Sequence, residues 1–486
     1  MKTLSRLLPM LLLILASCEK GGTGDAYFNN TDGLYFEGSG DQYNEIEENP
    51  FIETSENAIS TFSIDADGGS YANVRRFLQQ DNQLPVKDAV RTEELINYFE
   101  LDYPQQPGEA ISLNGEISSS PWSEGHRLLR IGVKGKDIPR EELGPSNFVF
   151  LIDVSGSMGS EDKLEMLKNG FKTLTDELSD DDRIAIVTYA GESGVLLPST
   201  PGSEKSTIKA AISKLGAGGS TAGAAGIMTA YEIAEANFIE HGNNRIVIGT
   251  DGDFNVGASS QEELTELIEQ KRESGVFITV LGVGRGNLQD GMLEQIANKG
   301  NGTYEYIDNV EQMRKVFLYD FKKFYTAAKD VKIQVEFSPK VVQAYRLIGY
   351  ENRVLNTEDF EDDEKDAGEI GINQNITALY EIIPAVNADY ALPAITVDCR
   401  YKLPDSDWSL PMSLQVFDEL TPFSQSSGFM KFSAGVASFG MLLRDSEFKG
   451  DTSYEKVLQW LQAAELPDEH GYKAQLQELV QKSSSL

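Results

Sequence analysis

Asp153, Ser155 and Ser157 stand at alternate positions directly after the apolar run Phe148-Val149-Phe150-Leu151-Ile152. Runs of this kind read as buried parallel strands, and open α/β sheets bind ligands at the carboxyl ends of their strands. The three side chains therefore belong to one loop at a sheet rim. All offer oxygen, the donor set of hard divalent cations such as Mg²⁺. Two later segments add to this loop. Gly218-Gly219-Ser220-Thr221 opens a helical stretch and brings a hydroxyl, and the apolar run Arg245-Ile246-Val247-Ile248-Gly249-Thr250 ends in Asp251. Turn formation and helix capping would account for Asp153 and the serines, but the three-part match outweighs that explanation.

This D-x-S-x-S, then Thr, then Asp series resembles the metal-ion-dependent adhesion site of von Willebrand factor type A domains. The resemblance implies that Ser155, Ser157 and Thr221 bind the metal directly, while Asp153 and Asp251 act largely through waters. It implies Mg²⁺, with Ca²⁺ and Mn²⁺ as alternatives. It also implies one open coordination position for a carboxylate from a protein partner presenting Asp or Glu.

The elements that must carry these residues alternate strand and helix from about 146 to 327, the pattern of a doubly wound, mostly parallel α/β sheet. Leu164, Leu167, Phe171, Leu174 and Leu178 recur at steps of three and four and mark a buried helix face. Further strands are expected at Arg183–Tyr189 and Val276–Gly284, with Gly275 capping the helix before the second of these. A last helix is expected from Val310 to Tyr325.

On either side the pattern is different. Ser60–Asp65, Ile111–Ser118 and Arg127–Val133 read as strands, and Ser70–Gln80 and Asp88–Phe99 as helices. After Lys329, period-two alternation recurs to about 415, as in antiparallel strands with one exposed face. The N-terminal strands are too few for a sheet of their own. They are expected to pair with the later ones, giving one β-rich domain into which the central domain is inserted. Helices then follow at Gly428–Leu443, Tyr454–Ala464 and Tyr472–Lys482. The divisions expected are a signal peptide at 1–17, a flexible tether at 18–45, an N-terminal α+β region at 46–145, the A domain at 146–327, a β-rich region at 328–425 and a helical segment at 426–486. The segments Tyr71–Leu78, Ala344–Arg353 and Phe439–Ser446 resemble a family of bacterial envelope proteins in which an A domain lies between a short N-terminal domain and a C-terminal domain of unknown function.

Lys2 and Arg6 precede the apolar stretch Leu7–Ala16, which is too short to span a membrane. Leu15-Ala16-Ser17-Cys18 resembles a bacterial lipobox, which implies lipidation of Cys18 and a place in the cell envelope, on the outer membrane and facing the periplasm or the surface. The other cysteine, Cys399, lies in an alternating strand pattern and reads as a packing residue. The chain has 486 residues, with 42 Lys and Arg against 77 Asp and Glu, a net charge of −35. Such a surface repels nucleic acid phosphates.

No P-loop, G-x-S-x-G elbow or H-E-x-x-H occurs, and His126, His241 and His470 lack metal-ligand spacing. Gly282-x-Gly284-x-Gly286 serves a turn after its strand. The acid run Glu358–Asp366 reads as a solvated loop, and Asp65-Ala66-Asp67-Gly68-Gly69-Ser70 as a helix cap. The function expected is a membrane-anchored, metal-dependent protein-binding module that is not an enzyme, with no nucleic acid and no small-molecule substrate. The alternatives are a metal-dependent hydrolase and a structural subunit of an envelope assembly.

Overall fold

Six strands form the central sheet in the order Tyr304–Ile307, Phe277–Val283, Asn243–Thr250, Ser146–Asp153, Arg183–Ala190 and Glu192–Pro201. The first five are parallel and the last is antiparallel. The computed structural model describes residues 34–35, 40–190, 192–219, 223–252 and 261–486. Strand alternation explains why the run from Phe148 to Ile152 carries no polar residue. Phe148, Phe150 and Ile152 pack with Leu167, Phe171 and Phe317 on one face. Val149 and Leu151 pack with Ile227, Tyr231 and Ile248 on the other. The sheet is therefore covered by helices on both sides.

The flanking strands form two antiparallel sheets around one core. In one, Ile59–Ser63 pairs with Thr326–Phe337, with Phe62 opposite Ile333. In the other, Arg127–Gly135 lies between Ile111–Ser119 and Asn375–Pro384. The N-terminal and C-terminal halves of the chain are thus laddered together around the central domain. Where the chain enters and leaves that domain, the Ser146 and Tyr325 hydroxyls are 2.7 Å apart and hydrogen-bonded.

The terminal helices Gly428–Arg444, Tyr454–Ala463 and Tyr472–Ser483 share a core with the early helices Gly69–Gln79 and Thr92–Asn97. The regions 46–145, 328–425 and 426–486 are consequently interwoven in space. The early helices also close the open edge of the central sheet. Tyr304 N donates to Asp67 Oδ1 at 2.7 Å, and Arg75 Nη2 meets Asp308 Oδ1 at 2.5 Å. Covering an edge in this way removes a template for unwanted pairing.

Three expectations need correction. The tether does not extend to residue 45: Asp41 is fully buried, and Gln42 N donates to Leu288 O at 2.8 Å. The last helix is broken. It is α-helical only over Val310–Arg314, and then widens through Lys315–Tyr319, where Asp320 N donates to Lys315 O at 2.8 Å and Lys315 Nζ pairs with Asp320 Oδ2 at 2.6 Å. A tight turn over Phe321–Phe324 follows. Asp65 and Asp67 do not cap the helix at Gly69. Both face Arg353, and Glu94 Oε2, from a different helix, accepts from Ser70 N at 2.7 Å. The acid run does form a solvated loop between strands, with Glu358, Glu361, Asp362 and Glu364 exposed, and two of its acids meet cations: Asp366 pairs with Arg272, and Asp363 with Arg400 at 3.1 Å. Cys399 is buried in the sandwich core, and burial pushes its thiol far above the ordinary range.

Candidate metal centre

The strand Ser146–Asp153 ends at the rim, where its next residue, Val154, keeps one bond to the neighbouring strand and gives its carbonyl to the glycine loop. Val154 N donates to Tyr189 O at 3.2 Å, and Gly218 N donates to Val154 O at 2.7 Å. Gly156 N donates to Gly219 O at 3.3 Å, so the glycine loop lies against the serine loop. Asp153 Oδ1 accepts from Ser155 N at 2.8 Å, a local turn that brings the two serines round. Their hydroxyls lie 2.9 Å apart. Met158, fully buried, pins the far end of the loop.

The second strand end supplies Asp251. Beside it, Thr250 Oγ1 donates to Asp153 Oδ2 at 3.1 Å and accepts from Gly252 N at 3.0 Å. A hydrogen bond also links Ser157 to Asp251. Asp153, Ser155, Ser157 and Asp251 therefore converge from two neighbouring strands. Asp153 and Asp251 are fully buried and Ser155 nearly so, whereas Ser157 is exposed and forms the mouth of the site. Thr221 lies outside the described residues, as does Cys18.

Burial raises the Asp153 carboxyl to about 6, opposed by its hydrogen bonds from Ser155 and Thr250. Burial acts in the same sense on Asp251. There the Asn287 amide and the charge of Lys163 prevail and hold the carboxyl below the ordinary range. Lys163 and Asn287 are the residues that motif reasoning missed. Lys163 Nζ donates to Asp251 Oδ2 at 3.0 Å and to Asn287 Oδ1 at 2.7 Å, and Asn287 Nδ2 donates to the same Asp251 oxygen at 3.0 Å. The lysine stem fits because residue 284 is glycine: a Cβ there would lie 2.2 Å from Lys163 Cε. The sequence signal for this was Gly284 itself, a residue without a side chain directly after a strand.

The loop that carries Asn287 is clamped in turn. Asp41 Oδ1 accepts from Gly286 N at 2.7 Å and from Leu288 N at 3.1 Å, and Asp41 Oδ2 meets Arg76 Nη1 at 2.8 Å.

This donor set fits a hard divalent cation, because it is all oxygen and two carboxylates are available to balance the charge. The Lys163 ammonium already neutralises one of them, so a metal must compete with it. Acid and hydroxyl groups of this kind, open to solvent on one side, can hold a cation and leave a position for an outside ligand.

Three family descriptions match the chain: "von Willebrand factor" over residues 37–130, "von Willebrand factor type A domain" over 147–318, and "Uncharacterized protein YfbK, C-terminal" over 322–486. The chain is 41% identical to the uncharacterized protein YfbK of Escherichia coli (strain K12) over 471 residues, covering 90% of this chain and 80% of the relative. It is 26% identical to the magnesium-chelatase 67 kDa subunit of Chlorobaculum tepidum, over 46% of this chain and 42% of that one. A solved von Willebrand factor type A protein from Catenulispora acidiphila is similar over 78% of this chain and 91% of its own, with a TM-score of 0.43 at 16% identity.

Proposed function

Because the chain belongs to the family of YfbK, with a von Willebrand factor type A domain at its centre, we propose that it is a metal-dependent protein-binding module rather than an enzyme. Asp153, Ser155, Ser157, Thr221 and Asp251 hold Mg²⁺ in this reading, and a partner's Asp or Glu completes the coordination. The observation that carries it is the convergence of four oxygen side chains at a strand-end rim, with Ser157 open to solvent and the acids behind it buried. Mg²⁺ supplies positive charge that an incoming carboxylate can meet. The protein's own part is to orient the hydroxyls and fix the acids, through Thr250 and the Ser155 backbone.

The reading extends to location. Lipid attached at Cys18 anchors the protein to a membrane of the bacterial envelope, and the acidic surface keeps it clear of nucleic acid. Among the described residues no helix is long and apolar enough to cross a membrane. Mass spectrometry of the purified protein tests the anchor, with a diacylglyceryl-modified Cys18 as the expected species.

The binding function is tested by capturing partners from envelope extracts with and without EDTA, using the wild type beside Asp153→Ala and Asp251→Ala. Metal-dependent capture that both variants lose is expected. Equal capture by all three proteins, with metal or without, overturns the reading.

A further inference from the structure

The strand-end site is held by a latch that comes from outside the central domain. Residues 40–43 run beside the loop 284–289, with Gln42 bridging Gln289 in parallel. The two backbones are in contact: residue 40 is a glycine at φ +70°, and a Cβ there would lie 2.2 Å from Gly286 O. Asp41, fully buried, makes the central contacts. Its Oδ1 accepts from Gly286 N at 2.7 Å and from Leu288 N at 3.1 Å, the residues on either side of Asn287. Gln42 N adds its bond to Leu288 O. Behind the carboxylate, Arg76 is 2% exposed and donates to Asp41 Oδ2 at 2.8 Å and to Tyr43 Oη at 3.1 Å. One carboxylate therefore fixes the backbone both before and after Asn287.

Asn287 stands between this latch and the rim. Its amide donates to Asp251 Oδ2, its carbonyl accepts from the Lys163 ammonium, and that ammonium donates to the same Asp251 oxygen. The three groups close a ring of hydrogen bonds. A divalent cation at the rim needs the negative charge of Asp251, and the ring already sets an ammonium against it. Whatever holds Asn287 in place also holds Lys163 there, and so stabilises the arrangement that the cation must disturb.

We propose that Asp41 is a positioning residue for the rim: by fixing Asn287 it keeps Lys163 on Asp251 and lowers the affinity for a divalent cation. This rests on the metal-binding reading of the strand-end site. When the latch opens, Asn287 loosens, the ammonium loses one of its two acceptors, and the cation displaces it more easily. Linkage makes the effect reciprocal. A cation at the rim loosens residues 40–43 by as much as their release favours the cation.

Calorimetric titration of the full chain with Mg²⁺ tests this in Asp41→Ala and in Asp41→Ala/Arg76→Met, which removes the buried pair as a unit and leaves no unpaired guanidinium. Kd is expected to fall by about threefold or more in both, the effect of one anchoring hydrogen bond. In a Lys163→Met background the same changes should leave Kd unmoved, because the group they act through is gone. A change that merely loosened the fold would shift Kd equally in either background. Amide exchange followed by mass spectrometry gives the reciprocal readout on the wild type, with no substitution: saturating Mg²⁺ should speed exchange in peptides spanning 40–44 and 284–289. Kd unchanged or raised in both latch variants, an equal fall with and without Lys163, or exchange that is unchanged or slowed in both segments overturns the proposal and leaves the metal site standing. No Mg²⁺ binding by the wild type or any variant overturns the metal-binding reading, and the proposal with it.

Discussion

Replacing Lys163 by Met should tighten metal binding, even though it removes a buried ion pair. The ammonium lies 3.0 Å from Asp251 Oδ2 and is 7% exposed. At that separation a pair of unit charges interacts by about 1.4 kcal/mol at a water-like dielectric and about 5.5 kcal/mol at an effective value near 20. The solvent-open Ser157 side of the site argues for the lower figure. Even so, about 1.4 kcal/mol is a factor of ten. A divalent ion approaching the wild-type site must displace this ammonium or bind against its repulsion, and in Lys163→Met it meets neither. Met keeps the stem that packs on Gly284. Calorimetric titration with Mg²⁺ should therefore give a Kd lower by about tenfold or more.

A second readout is coupled to the first. Without metal the variant leaves Asp251 with no ammonium, at a cost of about 3 kcal/mol. Mg²⁺ at about a hundred times its Kd should return about 2.7 kcal/mol. Thermal melting would show a destabilised protein that Mg²⁺ rescues far more strongly than it shifts the wild type. Unchanged or weaker Mg²⁺ affinity in Lys163→Met would refute the argument that the lysine competes with the metal.

Three further outcomes are expected. Arg353→Met should cost about 3–5 kcal/mol in urea unfolding, because Arg353 meets Asp65 at 3.0 Å, Asp67 at 3.4 Å and Glu294 at 3.7 Å and joins the flanking region to the central domain; a loss under about 1 kcal/mol would show the tie to be unimportant. Stability should fall as pH rises from 5.5 to 8, since burial holds Glu93 and Glu369 well above the ordinary carboxyl range. The folded state then keeps protons that the unfolded chain has released above that range, and stability is lost as pH climbs toward the raised folded values. Asp251 and Asp320, held low, change stability only below the ordinary range and so outside this window. A melting temperature that is flat or rising from pH 5.5 to 8 would contradict this. Finally, Cys399 should resist thiol reagents in the native protein and react at once in urea, because it is 1% exposed and its thiol is pushed far up by burial; rapid native labelling would place it elsewhere.

What could be read from sequence follows the range of the interactions involved. Asp153 and Asp251 were legible because each stands at the end of an apolar run, directly for Asp153 and one residue on for Asp251, and chain periodicity alone puts a strand there. The insertion of the central domain was legible because strands too few to stand alone must find partners. Lys163 was hidden because it arrives from a helical turn, and only the packing of that turn on Gly284 brings its charge to Asp251. Glu94 was hidden in the same way, since it serves the backbone of Ser70, 24 residues earlier in the chain. Residues 40–43 read as tether from their polarity, yet Asp41 is buried because two backbone N–H groups and Arg76 answer its carboxylate. The last helix looked continuous because no proline or glycine interrupts it, and its widened turn is spanned by an ion pair between Lys315 and Asp320.

The hydrogen bond between Ser146 and Tyr325 has a consequence for how the molecule bears load and how it can change. The central domain enters and leaves the sandwich at one doorway, so tension carried along the chain crosses at that doorway and through the flanking ladders, shared by buried ties such as Arg75 with Asp308 and Arg91 with Asp290, while the strand-end site lies at the far end of the strand that starts at Ser146. The same doorway makes the domain a cassette. It can be exchanged without severing a strand of the frame, for another whose ends meet and whose edge supplies partners for Asp41, Asp67, Arg75 and Arg91.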